Sequence, residues 1–156
     1  MTPDLSAWLT APEDVWKRRA RIAEYLTNEG YELPPSPPDA DYGEAGASHL
    51  VRGQEMTVAY SVVDQGWRRV YHYVEREVDH IMLHRIERGD EWILEHLASI
   101  PALLRRGHIV HVSEDKVIYQ SRRRYRDPDG QYCFLWIIVR RFKGTPWYVD
   151  TFYSVS

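Results

Sequence analysis

Apolar positions divide the chain into a helical opening, a hairpin, a helical middle and a strand-rich end. Val15, Ile22, Ala23 and Leu26 form a rough stripe at helical spacing, with Asp14 placed to cap it and Gly30 to stop it. The other face of that helix carries Lys17, Arg18, Arg19 and Arg21. Residues 56–63 and 67–74 read as two strands joined by a turn at Asp64-Gln65-Gly66. From about Glu75 the period changes, and Val78, Ile81, Met82 and Ile86 fall at helical spacing. Asp90 is placed to cap a second helix bearing Trp92, Ile93, Leu94 and Leu97. Pro101 opens a short turn of helix that Gly107 ends.

The remainder predicts sheet, with strands near residues 108–112, 116–125, 131–141 and 146–154. Asp127-Pro128-Asp129-Gly130 and Lys143-Gly144 are turn sequences, and connections this short require antiparallel neighbours. The stretch 132–139 is apolar at successive positions, which predicts a central strand covered on both faces. The fold class expected is therefore α+β: an N-terminal helix and hairpin, then helices packed on a four-stranded antiparallel sheet. Residues 1–71 are expected as an N-terminal arm or subdomain. They include a linker at residues 33–39, Leu-Pro-Pro-Ser-Pro-Pro-Asp, prolonged by an acidic stretch to Glu44. Residues 72–156 are expected as the main module.

Composition changes the picture in two places. The chain has 156 residues, 44% hydrophobic and 28% charged, enough for a packed core and against wholesale disorder. Six Trp and eleven Tyr supply rings that fill cores and also stack on bases. The net charge of -3 conceals an asymmetry: from Arg105 onward basic side chains outnumber acidic ones, and the first 104 residues are acidic. A basic half permits a polyanionic ligand despite the acidic total, although an ordinary solvated surface accounts for the charge equally well. Cys133, the single cysteine, lies between Tyr132 and Phe134 and reads as a buried structural thiol. Residues 1–10 carry Asp4 and no apolar run, and no stretch is long enough to span a membrane, so a cytoplasmic site of action and no membrane partner are expected.

Candidate chemistry begins with His80 and His84. Four residues apart, they share one side of a helix and point away from its apolar face. Plain surface histidines, or histidines packing on another element, are the structural alternatives. Zinc is disfavoured, because His80-Ile81-Met82-Leu83-His84 lacks a glutamate after the first histidine and no cysteine pair completes a site. No metal and no cofactor are expected. Acid–base chemistry fits better, since imidazole titrates near neutrality.

Ser121-Arg122-Arg123-Arg124-Tyr125 supplies three guanidiniums. If Arg126 stands opposite Gln131, Arg123 shares a sheet face with Ser121, Phe134 and Trp136. If Lys143-Gly144 is a two-residue turn, Thr151 and Tyr153 join that face. Arginine with hydroxyls around aromatics is a workable phosphate site, and a half-exposed sheet with snorkelling arginines is its structural alternative.

The order of these parts resembles the barnase–EndoU–colicin–RelE-like nuclease superfamily, especially its phage and polymorphic-toxin branches. The resemblance covers about residues 72–156. It rests on the paired-His helix, on Ile100-Pro101-x-Leu103-Leu104, on Lys116-Val117-Ile118-Tyr119, on Phe134 to Arg140, and on the closing Val149-Asp150-Thr151-Phe152-Tyr153. It implies metal-independent endoribonuclease activity by attack of a ribose 2′-hydroxyl on the adjacent phosphate. Carried over, His80 and His84 match the helix histidines, and an arginine of the Arg122 to Arg124 run matches the phosphate-binding residue, with Arg123 the one that strand parity selects. Thr151 and Tyr153 match the closing-strand hydroxyls, and Arg85, Tyr119, Arg122 and Arg124 are candidate substrate contacts. RNA is the implied substrate, and a cognate immunity or antitoxin protein the implied partner.

Two other functions compete. One is a non-catalytic immunity or inhibitor protein that binds a partner through the acidic N-terminal half. The run Val70-Tyr71-His72-Tyr73-Val74-Glu75-Arg76-Glu77 is similar to one class of toxin-immunity proteins. The other is a base-stacking RNA binder without chemistry.

Overall fold

A computed structural model describes residues 2–10, 14–34 and 43–156. The proline-rich linker and acidic stretch fall largely at residues 35–42, outside those described. Two helices open the chain, α1 (Leu5–Thr10) and α2 (Val15–Asn28). The Asp14 side chain caps α2 by accepting from the Lys17 N–H at 2.9 Å, and Gly30 follows at φ +94. Strands β1 (Ser48–Val51), β2 (Gln54–Val63) and β3 (Arg69–Tyr73) come next. The helical middle comprises α3 (residues 74–87), the 3₁₀ helix α4 (Glu91–Ser99) and α5 (Ile100–Arg106). The closing strands are β4 (His108–Val112), β5 (Lys116–Gln120), β6 (Tyr125–Arg126), β7 (Tyr132–Arg140) and β8 (Trp147–Val155).

The fold is α+β, with a sheet larger than the four strands expected. Its order is β1-β2-β3-β8-β7-β5-β4, with β6 paired to β7 beyond the end of β5. The extra strands join because β8 offers its second edge to β3 in parallel, Val70 opposite Trp147 and Tyr71 opposite Tyr148. The hairpin of residues 54–73 is therefore part of the main sheet, which runs across the boundary expected near residue 71. The β5–β7 and β7–β8 pairings are antiparallel, as the short turns require.

Strand β7 is internal but covered on one face only. Cys133, Leu135, Ile137 and Val139 are buried, while Phe134, Trp136 and Ile138 between them are half-buried. The buried face joins Val117, Tyr119, Val149 and Phe152 in one core, to which all five described helices contribute apolar residues. Phe152 is fully buried there. Its truncation to alanine costs about 3–5 kcal/mol by cavity formation. Cys133 is buried as expected, and burial pushes its thiol pKa up. A smaller core of Val51, Met56, Val58, Tyr73 and Tyr148 fills the β1–β3 end of the other face. Among the described residues no helix is long and apolar enough to cross a membrane.

Asp90 was expected to cap α4, but its side chain makes no capping bond and accepts from Arg85 Nη1 at 2.8 Å instead. A charged donor makes the stronger hydrogen bond, so the guanidinium takes the carboxylate.

Candidate functional site

Helix α3 leaves β3 and runs beside β8 in the lane that β3 vacates after Tyr73. Two contacts fix its course. Arg76 donates to the Asp150 carboxylate and, at 3.3 Å, to the Asp150 carbonyl. Nine residues on, the Arg85 guanidinium lies 5.9 Å from the centre of the Tyr153 ring. At about 1.5 Å per helical residue and about 3.3 Å per strand residue, the four residues from Arg76 to His80 advance roughly two strand residues along β8 from Asp150. The middle of α3, Glu77–Met82, is π-helical, with the Leu83 N–H bonded to the Val78 carbonyl. That wider turn buries Glu77 while leaving His80 only half-buried. Such π segments often mark functional sites.

The two imidazoles meet edge to face, with ring centroids 5.7 Å apart. His84 is exposed. Burial lowers the pKa of His80, the neighbouring Arg76 and His84 lower it further, and Asp79 and Asp150 partly oppose the shift. His80 is therefore neutral at pH 7 and able to accept a proton. Asp150 also accepts from Arg140 Nε at 3.0 Å, so one carboxylate faces two guanidiniums and the cluster keeps a positive charge. The Nε groups of Arg76 and Arg85 are buried without a hydrogen-bond partner among the described residues. Thr151 and Tyr153 are half-buried on β8, and the Tyr153 ring lies 6.1 Å from that of Trp136.

His80, in ring contact with His84, and Arg85 therefore flank the stretch of β8 from Asp150 to Tyr153, which includes Thr151. The expected β7–β8 register was off by two residues at Thr151, which now faces Ile138. An even slip preserves the face, and Thr151 and Tyr153 remain with Trp136.

Arg123 is elsewhere. The hairpin at residues 127–131 closes with three residues, Gly130 at φ +80, so Arg126 pairs with Tyr132 and not with Gln131. That one-residue slip puts Tyr125 on the Cys133 side of the sheet, and the Arg123 guanidinium stacks 4.4 Å over the Tyr125 ring. The arginine run is not a regular strand: residues 121–124 form an irregular link between β5 and β6. Arg122 donates to the Arg106 carbonyl at 2.6 Å, and Arg124 stacks 4.8 Å over Tyr132. Tyr119 is fully buried on the helix-covered face and donates to the Asp64 carboxylate, which removes it from any substrate surface.

Arg76, Arg140 and Asp150 belong to the site and were not singled out from sequence. Arg76 carried a signal, since it precedes His80 by four residues, as His80 precedes His84. Among the described residues no three His, Cys, Asp or Glu side chains gather as metal ligands. Comparison with family models, curated proteins and solved structures gives no match for this chain.

Proposed function

We propose that the protein is a metal-independent endoribonuclease whose active site lies between α3 and β8. The observation that carries this reading is the His80–His84 pair, 5.7 Å apart, set beside the positively charged Arg76–Asp150–Arg140 cluster. Neutral His80 removes the proton of a ribose 2′-hydroxyl, whose oxygen attacks the adjacent phosphorus. The bond from phosphorus to the 5′-oxygen breaks, and His84 acts as the general acid that gives a proton to that leaving oxygen. Arg140, the more exposed of the two guanidiniums, stabilises charge on the phosphorane, and Thr151 and Tyr153 orient the phosphate. Two imidazoles at this spacing can address the attacking and leaving oxygens of one phosphate, each within roughly 2.6–3.2 Å. The half-buried Trp136 and Tyr153 rings offer faces for neighbouring bases.

The test is incubation with total RNA in EDTA, comparing wild type with His80→Ala/His84→Ala. Cleavage by wild type alone supports the proposal. RNA retention without cleavage by both proteins would instead favour a non-catalytic binder.

A further inference from the structure

The face of the sheet opposite the helices is open along β7. Tyr132, Phe134, Trp136, Ile138 and Arg140 share it, since the alternating Cys133, Leu135, Ile137 and Val139 are the buried residues. Phe134, Trp136 and Ile138 belong to neither hydrophobic core. Trp136 stands opposite Gln120 on β5 and Tyr153 on β8, and its Nε1 donates to Gln120 Oε1 at 2.8 Å, which fixes the ring. Lys116 stands opposite Arg140 at one end of this face. Asp150 is the only acidic residue in β5, β7 and β8, so cations predominate there.

The other end of the face carries a cluster that the α3–β8 site does not use. Arg126 on β6 pairs with Tyr132, and the guanidiniums of Arg124 and Arg126 each lie 4.8 Å over the centre of the Tyr132 ring. Arg126 Nη2 also donates to the Tyr132 hydroxyl at 2.9 Å. Both arginines are exposed, and Tyr132 is 51% exposed. The neighbouring Asp127 carboxylate serves the hairpin, accepting from the Asp129 and Gln131 N–H groups at 2.9 Å each. Among the described residues neither Arg124 nor Arg126 pairs with a carboxylate. Stacking on the ring presents the outer guanidinium faces to a base and leaves N–H edges for phosphate oxygens.

We propose that Arg124, Arg126 and Tyr132 form a distal RNA subsite, from which Phe134 and Trp136 carry a single strand to the α3–β8 site. At about 3.3 Å per strand residue, Tyr132 stands roughly 26 Å from Arg140 along β7, a span that matches the shortest single-strand platforms, of about four nucleotides. Guanidiniums at both ends with rings between them answer a backbone of regular negative charge with bases beside it, which is how single-strand platforms are built. Duplex RNA keeps its bases stacked inside and offers none to Tyr132 or Trp136. The inference rests on the α3–β8 reading only in placing the cut at one end of the track. The distal subsite binds RNA whether or not the strand is cut there.

Fluorescence anisotropy with the full-chain His80→Ala/His84→Ala protein tests binding apart from cleavage. A short labelled oligoribonucleotide should bind, and the same sequence in a duplex should bind about tenfold more weakly or worse. Adding Arg124→Ala/Arg126→Ala, or Tyr132→Ala, should weaken the single strand about tenfold, the loss of one stacked base. With both histidines present, the same substitutions should raise KM for that oligoribonucleotide and keep kcat. They should leave cleavage of a dinucleotide unchanged, because it is too short to reach Tyr132. Binding that depends on the distal residues, in a protein that cuts no RNA, would uphold the subsite and overturn only the catalytic reading. Parental affinity in both distal variants, or equal binding of duplex and single strand, would overturn the subsite even where RNA is cut. Failure of either RNA to bind would overturn it too, and leave the face to a protein partner.

Discussion

Arg76 on α3 is paired with Asp150 on β8, and the pair joins the helix to the strand at the point where β3 leaves the sheet. Asp150 is shared with Arg140, so its carboxylate balances two cations at once. Both groups act on His80, in opposite directions. Removing the Arg76 charge by Arg76→Met should raise the His80 pKa, and Asp150→Asn should lower it. Titration of the imidazole ring proton by NMR reads both changes, and an unmoved pKa in both variants would contradict the placement.

Cleavage should follow the same group. A base must be deprotonated to act, and burial holds His80 below the ordinary imidazole value of 6.5. The acid limb of the cleavage rate against pH should therefore fall below that value. A limb above it would point to a different base.

Arg140 and Arg123 separate the site seen here from the one expected from sequence. Arg140→Ala should slow cleavage about 100- to 1000-fold with the fold retained, the usual cost of losing a charge-stabilising donor. Arg123→Ala should leave the rate close to wild type, because its guanidinium stacks on Tyr125 away from the α3–β8 site. The reverse pattern, measured as single-turnover rates, would restore the expected role of Arg123.

Arg123 falls on the other face from the expected one for a local reason. Strand parity is a reliable guide only when the register is known, and Asp127 to Gly130 permits both a four-residue and a three-residue closure. The loop at Lys143-Gly144 is longer than a two-residue turn, yet Thr151 and Tyr153 keep the expected face because the register differs there by two residues. The histidine helix was legible because Val78, Ile81, Met82 and Ile86 are all buried, as their spacing predicts. Its π segment left no mark on that pattern. The parallel β3–β8 pairing was not legible either, since it joins residues more than seventy positions apart with no turn to announce it.

A second charged group ties the N-terminal helix to the body. Glu77 accepts from His72 Nε2 at 2.6 Å and from Arg19 Nε at 2.5 Å. Burial alone would raise its pKa, but the hydrogen bond and charge of His72, with those of Arg19, outweigh burial and hold it at about 2, against an ordinary 4.5. The folded value lies below the unfolded one, so this stabilisation is complete above about 4.5 and is lost as pH falls towards about 2. Glu77→Gln should cost about 3 kcal/mol at neutral pH and flatten the loss of stability across that acid range. Urea midpoints at several pH values measure it, and equal acid sensitivity in the variant would contradict the account.

Trp67 is 88% exposed and adopts φ +63, a conformation that strains a bulky side chain. Trp67→Gly relieves about 1 kcal/mol of strain and gives up little burial. The melting temperature should rise by about 2–4 °C. A fall would show that the exposed ring makes a stabilising contact.

The central claim is attack by the 2′-hydroxyl without a metal, and the termini left on a defined RNA in EDTA test it most directly. The account predicts 2′,3′-cyclic phosphate and 5′-hydroxyl ends, no cutting where the scissile residue is 2′-deoxy, and no product from His80→Ala/His84→Ala. Ends bearing 3′-hydroxyl and 5′-phosphate, or equal cutting of the deoxy substrate, would contradict it.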